Sequence, residues 1–181
     1  MFKKPNCPVI AVEEHYWDAE LSKTYVGQES GRPGPQLERL FDLGALRIKE
    51  MDDVGIDVQV ISHGAPSAQK LPLDGAAAAA LVTRVNDRLA AACAAHPTRF
   101  AAFAALPSTE PKAAADELER AVTKLGMKGA MMHGLSRGVF LDDKQFWPIY
   151  ERAAQLDVPI YFHPATPDQR VTDAYYQDYV K

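Results

Sequence analysis

Val9-Ile10-Ala11-Val12-Glu13-Glu14-His15 is an apolar run of four residues that closes on two carboxylates and an imidazole. The run predicts a buried strand. Successive strand residues point to opposite faces, so alternation puts Val9, Ala11, Glu13 and His15 on one side and Ile10, Val12 and Glu14 on the other. A carboxylate and an imidazole two residues apart at the carboxyl end of a strand can grip one divalent ion. A second run of the same build, Val158-Pro159-Ile160-Tyr161-Phe162-His163-Pro164, follows about 150 residues later and also ends in histidine. Read as two sides of one site, these runs make Glu13, His15 and His163 the candidate metal ligands. A solvent-facing strand end explains Glu13 or His15 alone, and a hydrogen-bonded core residue explains His163 alone. Spacing by itself does not decide between these readings.

Between the two runs, apolar strands alternate with helical patterns. Residues 16–46 carry Gly27, Gly31, Pro33, Gly34 and Pro35 and predict a long irregular connection at the carboxyl end of the first strand. A short helix over 44–54, with Leu46, Ile48, Met51 and Val54 as core contacts, stops at Gly55. Asp57 to Ser62 is the second strand. Asp74 is placed to cap a long helix over 75–95, in which Leu81, Val85, Leu89, Ala92 and Cys93 form one stripe. Phe100 to Leu106 is the third strand, and Ser108 or Thr109 opens a helix carrying Leu118, Ala121, Val122 and Leu125 inward. Lys128 to Met132 is the fourth strand, and a helix over 144–156 leads into the Pro159 run. Residues 164–181 predict a polar, aromatic loop. Repeating strand and helix is the pattern of a parallel sheet covered by helices, an α/β fold. Glu13-Glu14-His15-Tyr16-Trp17 after the first strand is the opposite of a glycine-rich phosphate loop, which disfavours a dinucleotide fold.

The chain has 181 residues, 47% of them hydrophobic and 24% charged, which predicts one soluble globular domain. A net charge of -4 gives no electrostatic reason to expect nucleic acid or an anionic membrane as partner. Cys7 and Cys93 are too few for a disulfide framework, and the N-terminal residues lack the apolar segment of a signal peptide. A reducing cytoplasm is the expected compartment. His63 and His133 follow the second and fourth strands and are expected above the same mouth as Glu13 and His15. Either contacts substrate there or is a loop histidine bonded to backbone. His96 stands at a helix end and is given no catalytic role.

Several stretches together resemble the metal-dependent decarboxylase branch of the amidohydrolase superfamily. They are Ala11-Val12-Glu13-Glu14-His15, Leu40-Phe41-Asp42-Leu43-Gly44 before Arg47-Ile48-Lys49-Glu50-Met51-Asp52, and Val54-Gly55-Ile56-Asp57. Asn86-Asp87, then His96-Pro97-Thr98-Arg99-Phe100 running on to Leu106-Pro107, continue the match, and Leu156-Asp157 through His163-Pro164-Ala165-Thr166 is its most diagnostic block. The branch includes the γ-resorcylate, 5-carboxyvanillate and aminocarboxymuconate-semialdehyde decarboxylases. The resemblance implies a (β/α)₈ barrel, of which residues 1–181 form a single partial domain with about the first five strands, since such barrels run to ~250 residues. It also implies that Glu13, His15 and His163 bind one divalent ion, Zn²⁺ or Mn²⁺, and that His63 and His133 bind substrate. The family completes the site with a histidine after strand six and a proton-carrying aspartate after strand eight, positions expected beyond Lys181. His133 stands where resorcylate-type relatives carry asparagine. The activity implied is non-oxidative decarboxylation of an aromatic or related carboxylic acid by a homo-oligomeric enzyme, with the 181 residues alone inactive. The alternatives are a hydrolase acting on an ester, lactone or amide, and a non-catalytic half-barrel module.

Overall fold

The computed structural model describes residues 4–25, 31–73, 75–165 and 167–176. The strands are β1 (Ile10–Tyr16), β2 (Val58–His63), β3 (Phe100–Ala102), β4 (Ala130–His133) and β5 (Ile160–His163). The helices are α1 (Gly34–Phe41) and α2 (Ala45–Val54) between β1 and β2, and α3 (Gly75–Ala95) between β2 and β3. They continue with α4 (Pro111–Thr123), α5 (Trp147–Leu156) and α6 (Gln169–Tyr175) after β3, β4 and β5 respectively. Every strand pair is parallel: β1 with β2, β2 with β3, and β4 with β5. A parallel bridge from Ala104 to Ala130 carries the sheet across from β3 to β4. The strands therefore follow one another in chain order, as in the first five units of a (β/α)₈ barrel.

Packing separates the two faces of the sheet. On the outer face Ile61, Ala102, Ala104 and Met132 meet Leu89, Leu118 and Ile149 from the helices in one continuous core. On the inner face Val60, Phe103 and Met131 form a small cluster with Ala101 and Tyr161. Adjacent residues thus go to opposite sides, Ile61 out and Val60 in, Met132 out and Met131 in. Gly129, at φ +144°, lets β4 start hard against β5: a Cβ there would come within 2.2 Å of the Pro159 carbonyl. Asn86, wholly buried on α3, binds both the amide and the carbonyl of Ala105 at 2.9 Å and so fastens the chain where β3 ends.

Several expectations change. Residues 16–46 are not wholly irregular: Pro35 sits in the first turn of α1, where its missing N–H costs nothing. Residues after Pro164 are not simply a loop, since Asp168 accepts a hydrogen bond from the Arg170 amide and caps α6. α4 begins at Pro111 instead of at Ser108 or Thr109, and Ser108 instead bonds Ser136. Residues 144–146 form a separate 3-10 turn before α5. In α2 Val54 is 71% exposed, whereas Arg47 is buried beside Met51. The proposed cap Asp74 lies outside the described residues.

Strict alternation along β1 also fails. Ala11 pairs with Gln59, whose side chain turns outward to Arg47 on α2, yet His15 pairs with Ser62, whose hydroxyl turns to the His15 ring. Between Ala11 and Glu14 the register slips, and Glu13 there has φ +69°. An extra residue in one strand is a β-bulge, which bends the strand and re-aims a side chain. The bulge resets the alternation, so that Glu13 and His15 face the same site although Ala11 does not.

Candidate metal centre

Glu13, His15 and His163 offer ligand atoms that all lie within 4.8 Å of one another. Nε2 of His163 is 3.1 Å from Nε2 of His15 and 3.1 Å from Oε1 of Glu13. Bonds to one divalent ion run to about 2.0–2.2 Å, so ligand atoms sharing it stand ~3–4 Å apart. The spacing and the donor set, two imidazoles and a carboxylate, fit Zn²⁺ or Mn²⁺.

The surroundings orient each ligand. Nδ1 of His163 lies 2.5 Å from the Pro164 carbonyl, which can only accept, so the ring carries its proton there and leaves Nε2 as the lone pair facing the cluster. Nδ1 of His15 is 3.3 Å from Oγ of Ser62. A hydroxyl can donate or accept, so Ser62 serves either tautomer of His15. The backbone behind His15 is held by Arg47, which donates to the His15 carbonyl at 2.8 Å and to the Arg39 carbonyl at 2.9 Å. Gly64 leaves room for the ring: a Cβ at 64 would stand 3.1 Å from the His15 Cβ. Glu13 accepts a hydrogen bond from the phenol of Tyr161, which holds its carboxyl below the ordinary carboxylate value. Burial lowers the His15 pKa, and the neighbouring His163 adds to the shift. Both effects favour the unprotonated groups a metal requires.

The other two candidate histidines part company. His133 pairs in register with His163, and their ring centroids are 4.5 Å apart. Its Nε2 donates to the His63 carbonyl at 3.0 Å, and its buried Nδ1 has no partner. Burial pushes its pKa down to about 3, so the ring is neutral with Nδ1 as an acceptor. His63 follows the inward Ser62 and faces the other way. It is 3% exposed, its Nε2 accepts from the Asp18 amide at 2.9 Å, and its Nδ1 lies near the Gly64 carbonyl and the Tyr25 hydroxyl. The structure brings His133 beside the ligand cluster and does not bring the His63 ring there.

Three contributors escape a reading from residue types. Tyr161 stands two residues before His163, and the same parity that couples Glu13 with His15 would have pointed to it. Ser62 could have been found as the register partner of His15. Arg47 acts through backbone carbonyls and leaves no spacing signal.

The amidohydrolase family model matches residues 10–177. The chain is 39% identical over 176 residues to the γ-resorcylate decarboxylase of Polaromonas sp. strain JS666, covering 92% of this chain and 54% of the relative. Among solved structures it is similar to the 5-carboxyvanillate decarboxylase of Novosphingobium aromaticivorans in complex with manganese and 4-hydroxy-3-methoxy-5-nitrobenzoic acid. The TM-score is 0.86 at 32% identity, covering 93% of this chain and 53% of that one. The 2,6-dihydroxybenzoate decarboxylase from Rhizobium superposes with a TM-score of 0.80 at 37% identity, with 93% and 54% covered. The chain spans about half the length of the curated relatives it matches. With a parallel sheet in barrel order, a cluster of ligand-type residues at its strand ends and a match over nearly its whole length, the chain belongs to the amidohydrolase family.

Proposed function

We propose that this chain forms the metal-binding half of a non-oxidative aromatic-acid decarboxylase, with Glu13, His15 and His163 as ligands of one divalent ion. The observation that carries the reading is the convergence of those three side chains, from strands at opposite edges of the sheet, within 4.8 Å. The manganese bound by the 5-carboxyvanillate decarboxylase supports a divalent ion here, and the aromatic acids named for the relatives support the substrate class.

A bound divalent ion would supply Lewis acidity and a template for a carboxylate and a neighbouring phenolic oxygen. The chain's own residues do the rest of what this half contributes. The carbonyl of Pro164 and the hydroxyl of Ser62 hold the two imidazoles in place, and Glu13 brings negative charge to the cluster. His133, neutral and beside the ligand cluster, is assigned to shape the substrate side of the site. His63 is assigned to holding the β2 end and the 18–25 segment together in place of touching substrate. In the reaction the ring–carboxyl bond breaks, its electrons stay with the ring, and a proton takes the place of CO₂. The donor of that proton is assigned to an aspartate outside the 181 residues, at a later barrel strand. The expected compartment is the cytoplasm, in keeping with two free cysteines. Homo-oligomerisation of the full-length form belongs to the same reading. The edges of β1 and β5, which have no strand partner among the described residues, are assigned to pairing with later strands of the barrel. No described helix is long and apolar enough to cross a membrane.

The test uses calorimetric titration of the purified chain with Mn²⁺ or Zn²⁺, then CO₂ release from dihydroxybenzoates. One ion should bind to the wild-type chain, and His163→Ala should weaken binding by about 100-fold or more. Turnover should be absent from the chain alone and appear on co-expression with the C-terminal half of a relative. In that complemented enzyme His133→Asn should change substrate preference and leave metal content intact. Ester or lactone hydrolysis without CO₂ from the complemented enzyme would replace the decarboxylase reading by the hydrolase one.

A further inference from the structure

The two oxygens of Glu13 have different neighbours. Oε1 faces the ligand cluster, 3.1 Å from Nε2 of His163, whereas Oε2 accepts a hydrogen bond from Tyr161, 148 residues further along the chain. Glu13 also sits at φ +69°, a conformation a residue with a side chain occupies only when its surroundings hold it there. Tyr161 is well placed to do the holding. Its ring stacks on Phe103 with centroids 6.0 Å apart and planes at 26°, and its backbone pairs in register with Met131. It lies two residues before His163 on the same strand, so its hydroxyl and the His163 ring share one rigid support.

A carboxylate free at both oxygens can clamp an ion through both. A phenol bonded to one oxygen occupies a lone pair of that oxygen and fixes the plane of the group. We propose that Tyr161 is a positioning residue that confines Glu13 to coordination through Oε1 alone. This rests on the metal-centre reading above and deepens it. A Mn²⁺ ion takes about six oxygen or nitrogen ligands. With Glu13, His15 and His163 giving one atom each, about three positions would be left to share between any ligand from a later strand and the substrate. A substrate that chelates through a carboxylate oxygen and an adjacent hydroxyl needs two neighbouring open positions. A two-oxygen grip by Glu13 would close one of those positions and swing the rest. Tyr161 thereby favours chelating substrates over singly bound ones, without touching either.

The test compares wild-type chain with Tyr161→Phe, which keeps the ring and its stack on Phe103. Mn²⁺ affinity is read from the free-ion paramagnetic resonance signal, and bound water from solvent proton relaxation. Tyr161→Phe should weaken Mn²⁺ binding by about tenfold, the effect typical of removing a partner of a metal ligand. It should also remove about one exchangeable water from the bound ion as Glu13 takes a second position. A merely structural role for Tyr161 would shift the unfolding temperature of the metal-free chain and leave the water count alone. Phe103→Leu, which keeps the hydroxyl but loosens its support, should move both readings the same way by less, and serves if Tyr161→Phe does not fold. An unchanged water count in both variants overturns the proposal. A wild-type chain that binds no Mn²⁺ overturns the metal-centre reading itself, a separate and recognisable result.

Discussion

The outer face of the sheet is filled to closure: Ile61, Leu118, Met132 and Ile149 are each 0% exposed, and Leu89 is 1%. The inner face is thinly covered, with a three-residue cluster and Ile10, the register partner of Val58, 58% exposed. Outer side chains hold the helices to the strands, so the free energy of folding is concentrated there. Inner side chains near the strand ends carry the polar cluster and contribute little to that packing. Stability and chemistry are therefore separable by face. Changes on one side should move unfolding, and changes on the other should move metal binding.

The largest expected effect lies on the outer side. Leu118→Ala opens a cavity under α4 and should cost about 2–5 kcal/mol of stability. Mn²⁺ affinity measured on the folded fraction should stay at the wild-type value. A parallel loss of affinity would show that the faces are coupled.

His63 sharpens the comparison through pH. Burial pulls its pKa from 6.5 down to about 4, so the folded chain keeps it neutral where the unfolded chain protonates. Between about pH 6.5 and 4 the unfolded state binds more protons, and stability is lost as pH falls through that window. The shift corresponds to about 3 kcal/mol. Urea midpoints across this range should fall less steeply for His63→Gln than for wild type. Equal slopes would mean that His63 is not held neutral.

A smaller change on the inner side is Gly64→Ala. Its Cβ would press on His15 at 3.1 Å and on Trp17 Nε1 at 3.4 Å. Overpacking of this kind costs about 1–3 kcal/mol, and displacement of the ring should weaken Mn²⁺ binding by about tenfold. Titration at wild-type affinity would show that the ring has slack. At the bottom of the scale, Lys49→Gln breaks an exposed pair with Asp53 on α2 and should leave the unfolding temperature unchanged.

These contrasts also mark what residue types disclose. The strands ending in His15 and His163 were legible from apolar runs that close on ligand chemistry. The burial expected of the first run was not borne out: Ile10 and Val12 are 58% and 51% exposed, because the inner face and the edge of β1 are thinly covered. The order of strands and helices was legible from the same periodicity. The bulge at Glu13 was not, since a backbone angle of +69° on a glutamate has no composition signature. Alternation paired Glu13 with His15 correctly and included Ala11 wrongly, because the slip falls between them. The face of His63 depends on register with Tyr16, which only the folded ladder fixes. α1 was hidden by Gly34 and Pro35, which read as loop residues but open a helix.

His15 and His163 stand on the first and last strands, 148 residues apart, with ring nitrogens 3.1 Å from each other. Among the described residues, backbone hydrogen bonds hold each of these strands from one side only. An ion between them would act as a rivet across the sheet, closing a loop of 148 residues. Ligand linkage would then add about 2.7 kcal/mol at a free metal concentration of 100 times Kd, all of it in the native state. Its local signature is amide exchange. Chelation should speed exchange in β1 and β5 and leave β2, β3 and β4 protected, so metal content and the order of the two rims rise and fall together.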